Sequence, residues 1–138
     1  FPCHASGPAN GPAGHWVASR HSRAFHTLTT DQARALAASR EDYKDISDPS
    51  TEQRCRMCHL TAAQNPYAVF AADHDPREGV GCEACHGPGS TYLDREIMQD
   101  RARFLSSGGR VPDELTCRTC HRDEAFDFMT RLERIRHW

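Results

Sequence analysis

Apolar positions in this chain recur at helical spacing in a few short stretches, and nowhere alternate as a half-buried strand would. From about His15 to Leu28 the pattern predicts a helix, with Val17, His21, Ala24, Phe25 and Leu28 on one face and His15, Ser22 and His26 on another. Thr30 is placed to cap a second helix through Gln32, Ala33, Leu36, Ala37 and Arg40, which Ser47-Asp48-Pro49-Ser50 breaks. A last helix opens near Asp123, carries Phe128, Met129, Leu132 and Ile135 at helical spacing, and ends at His137. Turn signals fill the rest: Gly, Pro, Ala and Asn over 5–14, Asn65-Pro66 and Asp75-Pro76 in an irregular 60–81, Gly87-Pro88-Gly89, and a loop from Ser106 to Pro112 around Gly108-Gly109. The expected fold is mainly α with much irregular loop, in a single domain over 1–138.

These helices have little to bury. Only 20 of the 138 residues are Leu, Ile, Val or Phe, below the roughly one-fifth at which a chain ordinarily builds a core. A net charge of −2 is too small for a disordered polyelectrolyte. The two facts are compatible if the interior is supplied by something other than side chains. No run approaches the roughly 20 apolar residues that span a bilayer, and no basic block suggests a nucleic-acid partner.

Cysteine spacing names the missing interior. Cys55-Arg56-Met57-Cys58-His59, Cys82-Glu83-Ala84-Cys85-His86 and Cys117-Arg118-Thr119-Cys120-His121 each read C-x-x-C-H, the covalent attachment motif of a c-type haem. The two thiols reach the two vinyl groups of one porphyrin, and the following imidazole binds iron as proximal ligand. Zinc needs no His directly after its Cys pair, a redox dithiol wants a βαβ setting, and a disulfide scaffold would not repeat one spacing. The chain opens Phe1-Pro2-Cys3-His4, the remnant of a fourth such motif without its first Cys. Either the sequence starts one residue late or this haem hangs on a single thioether; the bland alternative is an unattached Cys beside an ordinary His. Four haems would give the chain its apolar interior, so the haem-free chain is expected not to fold. The basic residues, nearly all Arg, suit pairing with haem propionates.

With His4, His59, His86 and His121 as proximal ligands, His15, His21, His26, His74 and His137 remain for the opposite faces. His21 shares the apolar helix face, and His137 ends an amphipathic helix; both are favoured as iron ligands. His74, in Asp73-His74-Asp75, is either a solvated turn residue or a ligand whose second nitrogen faces an acidic neighbour. His26 and His15 stay open between ligand and surface. Met129 reads as core filler.

Gly79-Val80-Gly81-Cys82-Glu83-Ala84-Cys85-His86-Gly87-Pro88-Gly89-Ser90 resembles the signature of the cytochrome c-554 family of multihaem cytochromes. The opening run, with Cys3-His4, Trp16, Ser19, His21, Ala24 and Phe25, is similar, and so is the end, from Cys117 to His121 through Phe126-Asp127-Phe128 to His137. The resemblance implies a compact tetrahaem electron carrier built around stacked haem pairs, with His21 and His137 as distal ligands. Members commonly carry a His soon after the Gly-Pro-Gly turn; this chain has Ser90-Thr91-Tyr92-Leu93. His74 or His26 substitutes there, Tyr92 approaches the iron, a partner subunit donates a His, or that haem is open.

The expectation is a carrier passing single electrons between redox partner proteins, located in the periplasm or outside the cell after loss of an export signal, since haem is joined to such motifs beyond the cytoplasmic membrane. Two other readings stand beside it. One is an enzyme with a five-coordinate haem acting on a small nitrogen oxide; the other is a subunit of an extracellular haem filament or larger complex, in contact with copies of itself.

Overall fold

The computed structural model describes residues 11–137, so the expectations for Cys3 and His4 fall outside the described residues. Helices and irregular loops make up the described chain, and it contains no strand. It resolves into two compact units. One holds the described residues through Gly81 together with those from Leu132 onward; the other is Cys82–Arg131. No described helix is long and apolar enough to cross a membrane.

In the first unit, α1 (Pro12–Ala18), α2 (Ala24–Leu28), α3 (Asp31–Ala38) and α4 (Gln53–His59) follow one another. The continuous helix expected over 15–28 is broken at Ser19–Arg23. The Ser22 hydroxyl donates to the carbonyls of Val17 and Ser19, both at 3.0 Å. Such local side-chain bonds compete with helical ones. Val17 is 62% exposed, so it does not share a buried face with His21, Phe25 and Leu28. The second helix is as expected: the Thr30 hydroxyl accepts from Ala33 N at 3.2 Å and caps α3. Gln53 donates from Nε2 to the Ala63 carbonyl at 2.9 Å, tying α4 to the turn after it.

The segment just ahead of the second complete signature is stitched on both sides. Trp16 Nε1 donates to the Val80 carbonyl at 2.8 Å, and Val80 N donates to the His21 carbonyl at 2.9 Å. On the other side Thr61 N donates to Gly79 O at 2.9 Å, and Gly81 N to the Thr61 hydroxyl at 2.7 Å. Gly79 makes this approach possible. Its φ is +86°, and a Cβ there would sit 2.6 Å from the His21 carbonyl oxygen.

The second unit contains α5 (Cys82–His86), α6 (Arg95–Gln99), α7 (Arg101–Ser106) and α8 (Glu114–Arg118), and the first turn of α9 (Phe128–Glu133). The last helix therefore starts later than Asp123; Asp127 accepts from Thr130 N at 2.8 Å at its start. Helices α6 and α7 were not anticipated, because at 5 and 6 residues each is too short to declare a period; Asp94 and Asp100 accept from the first amides of each and act as caps. The turn after α5 is as expected, with Gly87 at φ +82°. Tyr92 folds back over it. Its ring is 7% exposed, stands edge-on to Phe104 at 4.8 Å, and its hydroxyl donates to Gly87 O at 2.8 Å. Tyr92 is thus engaged in the turn.

The polypeptide buries few apolar side chains: Leu28, Ala37, Ile46, Leu60, Tyr92 and Phe126. Leu36, Leu93, Leu105, Leu115 and Met129 remain exposed, Met129 at 62%, so it does not fill a core.

Gly79→Ala is expected to destabilise the protein by about 2 kcal/mol or more, from strained backbone plus the contact with the His21 carbonyl, read as an earlier guanidinium midpoint. Tyr92→Phe removes one buried hydrogen bond and is expected to cost about 1 kcal/mol without altering the visible haem spectrum. A changed spin state in that variant would show that Tyr92 does reach iron.

Candidate haem sites

Helical geometry explains the motif spacing. On α4, Cys55, Cys58 and His59 occupy positions i, i+3 and i+4, so two thiols and an imidazole share one face. Cys82, Cys85 and His86 repeat this on α5. Cys117 lies in α8; Cys120 N and His121 N both donate to Cys117 O, at 3.2 and 2.9 Å, carrying the helical turn past the end of the helix.

The three motif imidazoles are held by different means. His59 Nδ1 lies 2.8 Å from Ala24 O, with the Thr27 hydroxyl at 3.1 Å. His86 Nδ1 lies 3.1 Å from Arg110 O, while Arg110 N donates to His86 O at 2.9 Å, clamping that residue to the 108–110 loop. A backbone carbonyl on Nδ1 selects the tautomer with its proton there and its lone pair on Nε2, as a metal-binding His requires. His121 is oriented by stacking: the Phe126 ring lies 4.9 Å away at 16°. Arg118, inside the motif, holds that ring. Its guanidinium sits 4.9 Å from the Phe126 ring centre and donates to Phe126 O and Asp123 O, both at 2.9 Å. Burial, and then the Arg131 charge, hold the His121 pKa below its usual value, favouring the neutral ligating form.

A cavity of about 670 Å³ opens beside Cys55, Cys58 and His59. Leu28, Ala33, Leu36, Ala37 and Pro49 give it apolar walls, with Arg40, Tyr43 and Arg54 at its polar side. That volume is in the range of cofactor sites, and the donor set of two thiols and one imidazole beside an apolar slot fits haem c. Arg54 is committed to protein partners, donating to Asp45 Oδ2 at 2.7 Å and Glu52 Oε1 at 3.0 Å. Arg40 lies over the Tyr43 ring at 5.4 Å.

Burial pushes the Cys85 thiol up to about 11, and the nearby Cys117, Cys82 and Cys120 thiols add to the rise. Burial likewise raises Cys55 and Cys117. Reactive dithiols have lowered pKa values, opposite to the direction at Cys55, Cys85 and Cys117. No group of three or more His, Cys, Asp or Glu among the described residues is arranged to hold a bare metal ion, and no disulfide joins two described cysteines.

The remaining imidazoles are dispersed. His15 and His26 are exposed, the latter edge-on to Phe25 at 6.1 Å. His21 is half-buried in the bend between α1 and α2, its carbonyl taken by Val80 N and Ala24 N. His137 is half-buried, with Nδ1 3.0 Å from Ile135 O. His74 Nδ1 faces Glu78 Oε2 at 3.4 Å. The expected acidic neighbour was Asp73 or Asp75, but Asp75 accepts from Arg77 N instead; a one-turn reach to Glu78 was the overlooked option. None of these five lines the cavity at His59. Phe126, Arg118 and the Ala24 and Arg110 carbonyls were not picked out as site residues from the sequence; an Arg inside C-x-x-C-H was the one available signal.

Comparison with known proteins places these sites in context. The profile described as "Cytochrome c554 and c-prime" matches residues 2–87. The protein named Cytochrome c-554 from Nitrosomonas europaea is 26% identical over 98 residues, 70% of this chain and 41% of that protein. This chain therefore spans well under two thirds of that relative's length. No solved structure matches. With the family match covering more than half of the chain, from Trp16 through the Gly79–His86 signature, the chain belongs to the cytochrome c554 and c-prime family.

Proposed function

We propose that this chain is an electron-transfer protein carrying four covalent c-type haems, at Cys3-His4, Cys55–His59, Cys82–His86 and Cys117–His121, within one tetrahaem domain. It passes single electrons between redox partner proteins on the outer side of the cytoplasmic membrane. The observation that carries the reading is the placement of two thiols and an imidazole on one face of α4, beside the apolar cavity at Cys55, Cys58 and His59, and its repeat on α5. Bound haem supplies a one-electron iron couple whose potential follows its axial ligands and surroundings. The Ala24 and Arg110 carbonyls keep the proximal imidazoles aimed and electron-rich. Leu28, Ala37 and Pro49 exclude water beside His59, and Arg40, which also lines the cavity, is available to pair with a propionate. His21, His137, His74 and His26 are the available distal ligands.

A second reading has one specific support: among the described residues, His59 is the one imidazole lining its cavity. That site would then keep an open iron position for a small ligand such as a nitrogen oxide, with Tyr43 and Arg40 nearby.

Intact mass with pyridine haemochrome analysis of the holo-protein is expected to count four haems; a product without covalent haem would end the proposal. Cyanide or nitric oxide added to that protein separates the two readings: an unchanged Soret band leaves a pure carrier, and a shifted band in one haem's worth of absorbance establishes the open site.

A further inference from the structure

The carbonyl that orients His86 belongs to Arg110, which follows two glycines. Gly108 and Gly109 bring no side chain to pack and widen the conformations open to the loop, so its position has to be fixed from outside. Phe104, on α7, is placed to do this. Gly109 is buried, and a Cβ there would lie 2.3 to 2.5 Å from three atoms of the Phe104 ring. Gly109 N donates to Phe104 O at 2.9 Å, and Gly108 N to Leu105 O at 3.2 Å. The same ring stands edge-on to Tyr92, whose hydroxyl donates to Gly87 O. Gly87 directly follows His86, and a Cβ on it would lie 2.6 Å from Gly108 O. Phe104 therefore braces both backbone segments that meet at His86, the turn through Tyr92 and the loop through Gly109.

We infer that Phe104 is a positioning residue for the His86 imidazole: its ring, seated against the bare backbone of Gly109, holds Arg110 O at Nδ1 and so sets the donor strength of that ligand. This inference rests on the haem-bearing reading above. A carbonyl on Nδ1 makes an imidazole a stronger donor through Nε2, which favours oxidised iron and keeps the potential of the attached haem low. A loop that slips away from His86 weakens this bond, and the potential of that one haem rises. Gly109 is part of the device, because its missing side chain is what lets the ring reach the loop.

The test uses the holo-protein, Gly109→Ala, Phe104→Leu and the double variant, with pyridine haemochrome counting the haems in each. In Gly109→Ala the added methyl collides with the ring and displaces the loop. One midpoint potential in a spectroelectrochemical titration is expected to move upward while the others stay. Phe104→Leu, which leaves the loop unbraced, is expected to raise the same potential. In the double variant the smaller side chain makes room for the methyl, so that potential is expected to return toward the parent value. A merely structural Phe104 would give an earlier guanidinium midpoint with every potential unchanged at full haem count, and that result overturns the inference. A double variant shifted by the sum of the two single shifts also overturns it. If Gly109→Ala fails to accumulate, Phe104→Leu decides alone, and unaltered potentials there overturn it. Loss of covalent haem from the parent protein would instead strike the underlying reading.

Discussion

A single turn of helix can place two thiols and one imidazole on the same side, and the protein is arranged around that fact. Cys55, Cys58 and His59 on α4, and Cys82, Cys85 and His86 on α5, stand at i, i+3 and i+4. Such a face would hold a haem covalently through its two thiols and offer its iron the imidazole. The helix needs only to be long enough for the grip, and these helices are no longer: α5 has 5 residues and α4 has 7. Isolated helices so short are not stable in water, so each depends on what it is fastened to.

The fastening is mostly polar and local. Backbone carbonyls of Ala24 and Arg110 hold two of the proximal imidazoles, and Arg118 holds the Phe126 ring that backs the third. The Gly79–Gly81 segment is bonded to Trp16 and His21 on one side and Thr61 on the other, immediately before Cys82. Against this, the buried apolar set is thin, and several large apolar side chains lie at the surface of the polypeptide. Flat apolar haems attached at these motifs would provide the contact area that the side chains do not.

The fold class was legible, and so was the gathering of two Cys and one His on a single helix face, because both rest on short-range chemistry. Thr30 capped the helix it was expected to cap, and C-x-x-C-H fixed which residues gather. The break between α1 and α2 was not legible, because a Ser22 hydroxyl turning back onto Val17 and Ser19 leaves the 3.6-residue pattern unchanged. The same limit hid Glu78. From Asp73-His74-Asp75 the nearer acids looked like partners, but adjacent residues point away from one another and the residue one turn on reaches the ring. The Gly79-Val80-Gly81 part of the family signature acquired a reason only in three dimensions, where the backbone of Gly79 presses against the His21 carbonyl.

The central claim is that covalently attached haem is this molecule's interior. It is tested most directly by comparing the holo-protein with the same reduced chain produced without haem attachment, using far-ultraviolet circular dichroism and amide hydrogen exchange. The account predicts protected amides in α4 and α5 and a cooperative transition for the holo-protein, with neither in the haem-free chain. A haem-free chain that melts cooperatively and protects those same amides would contradict it.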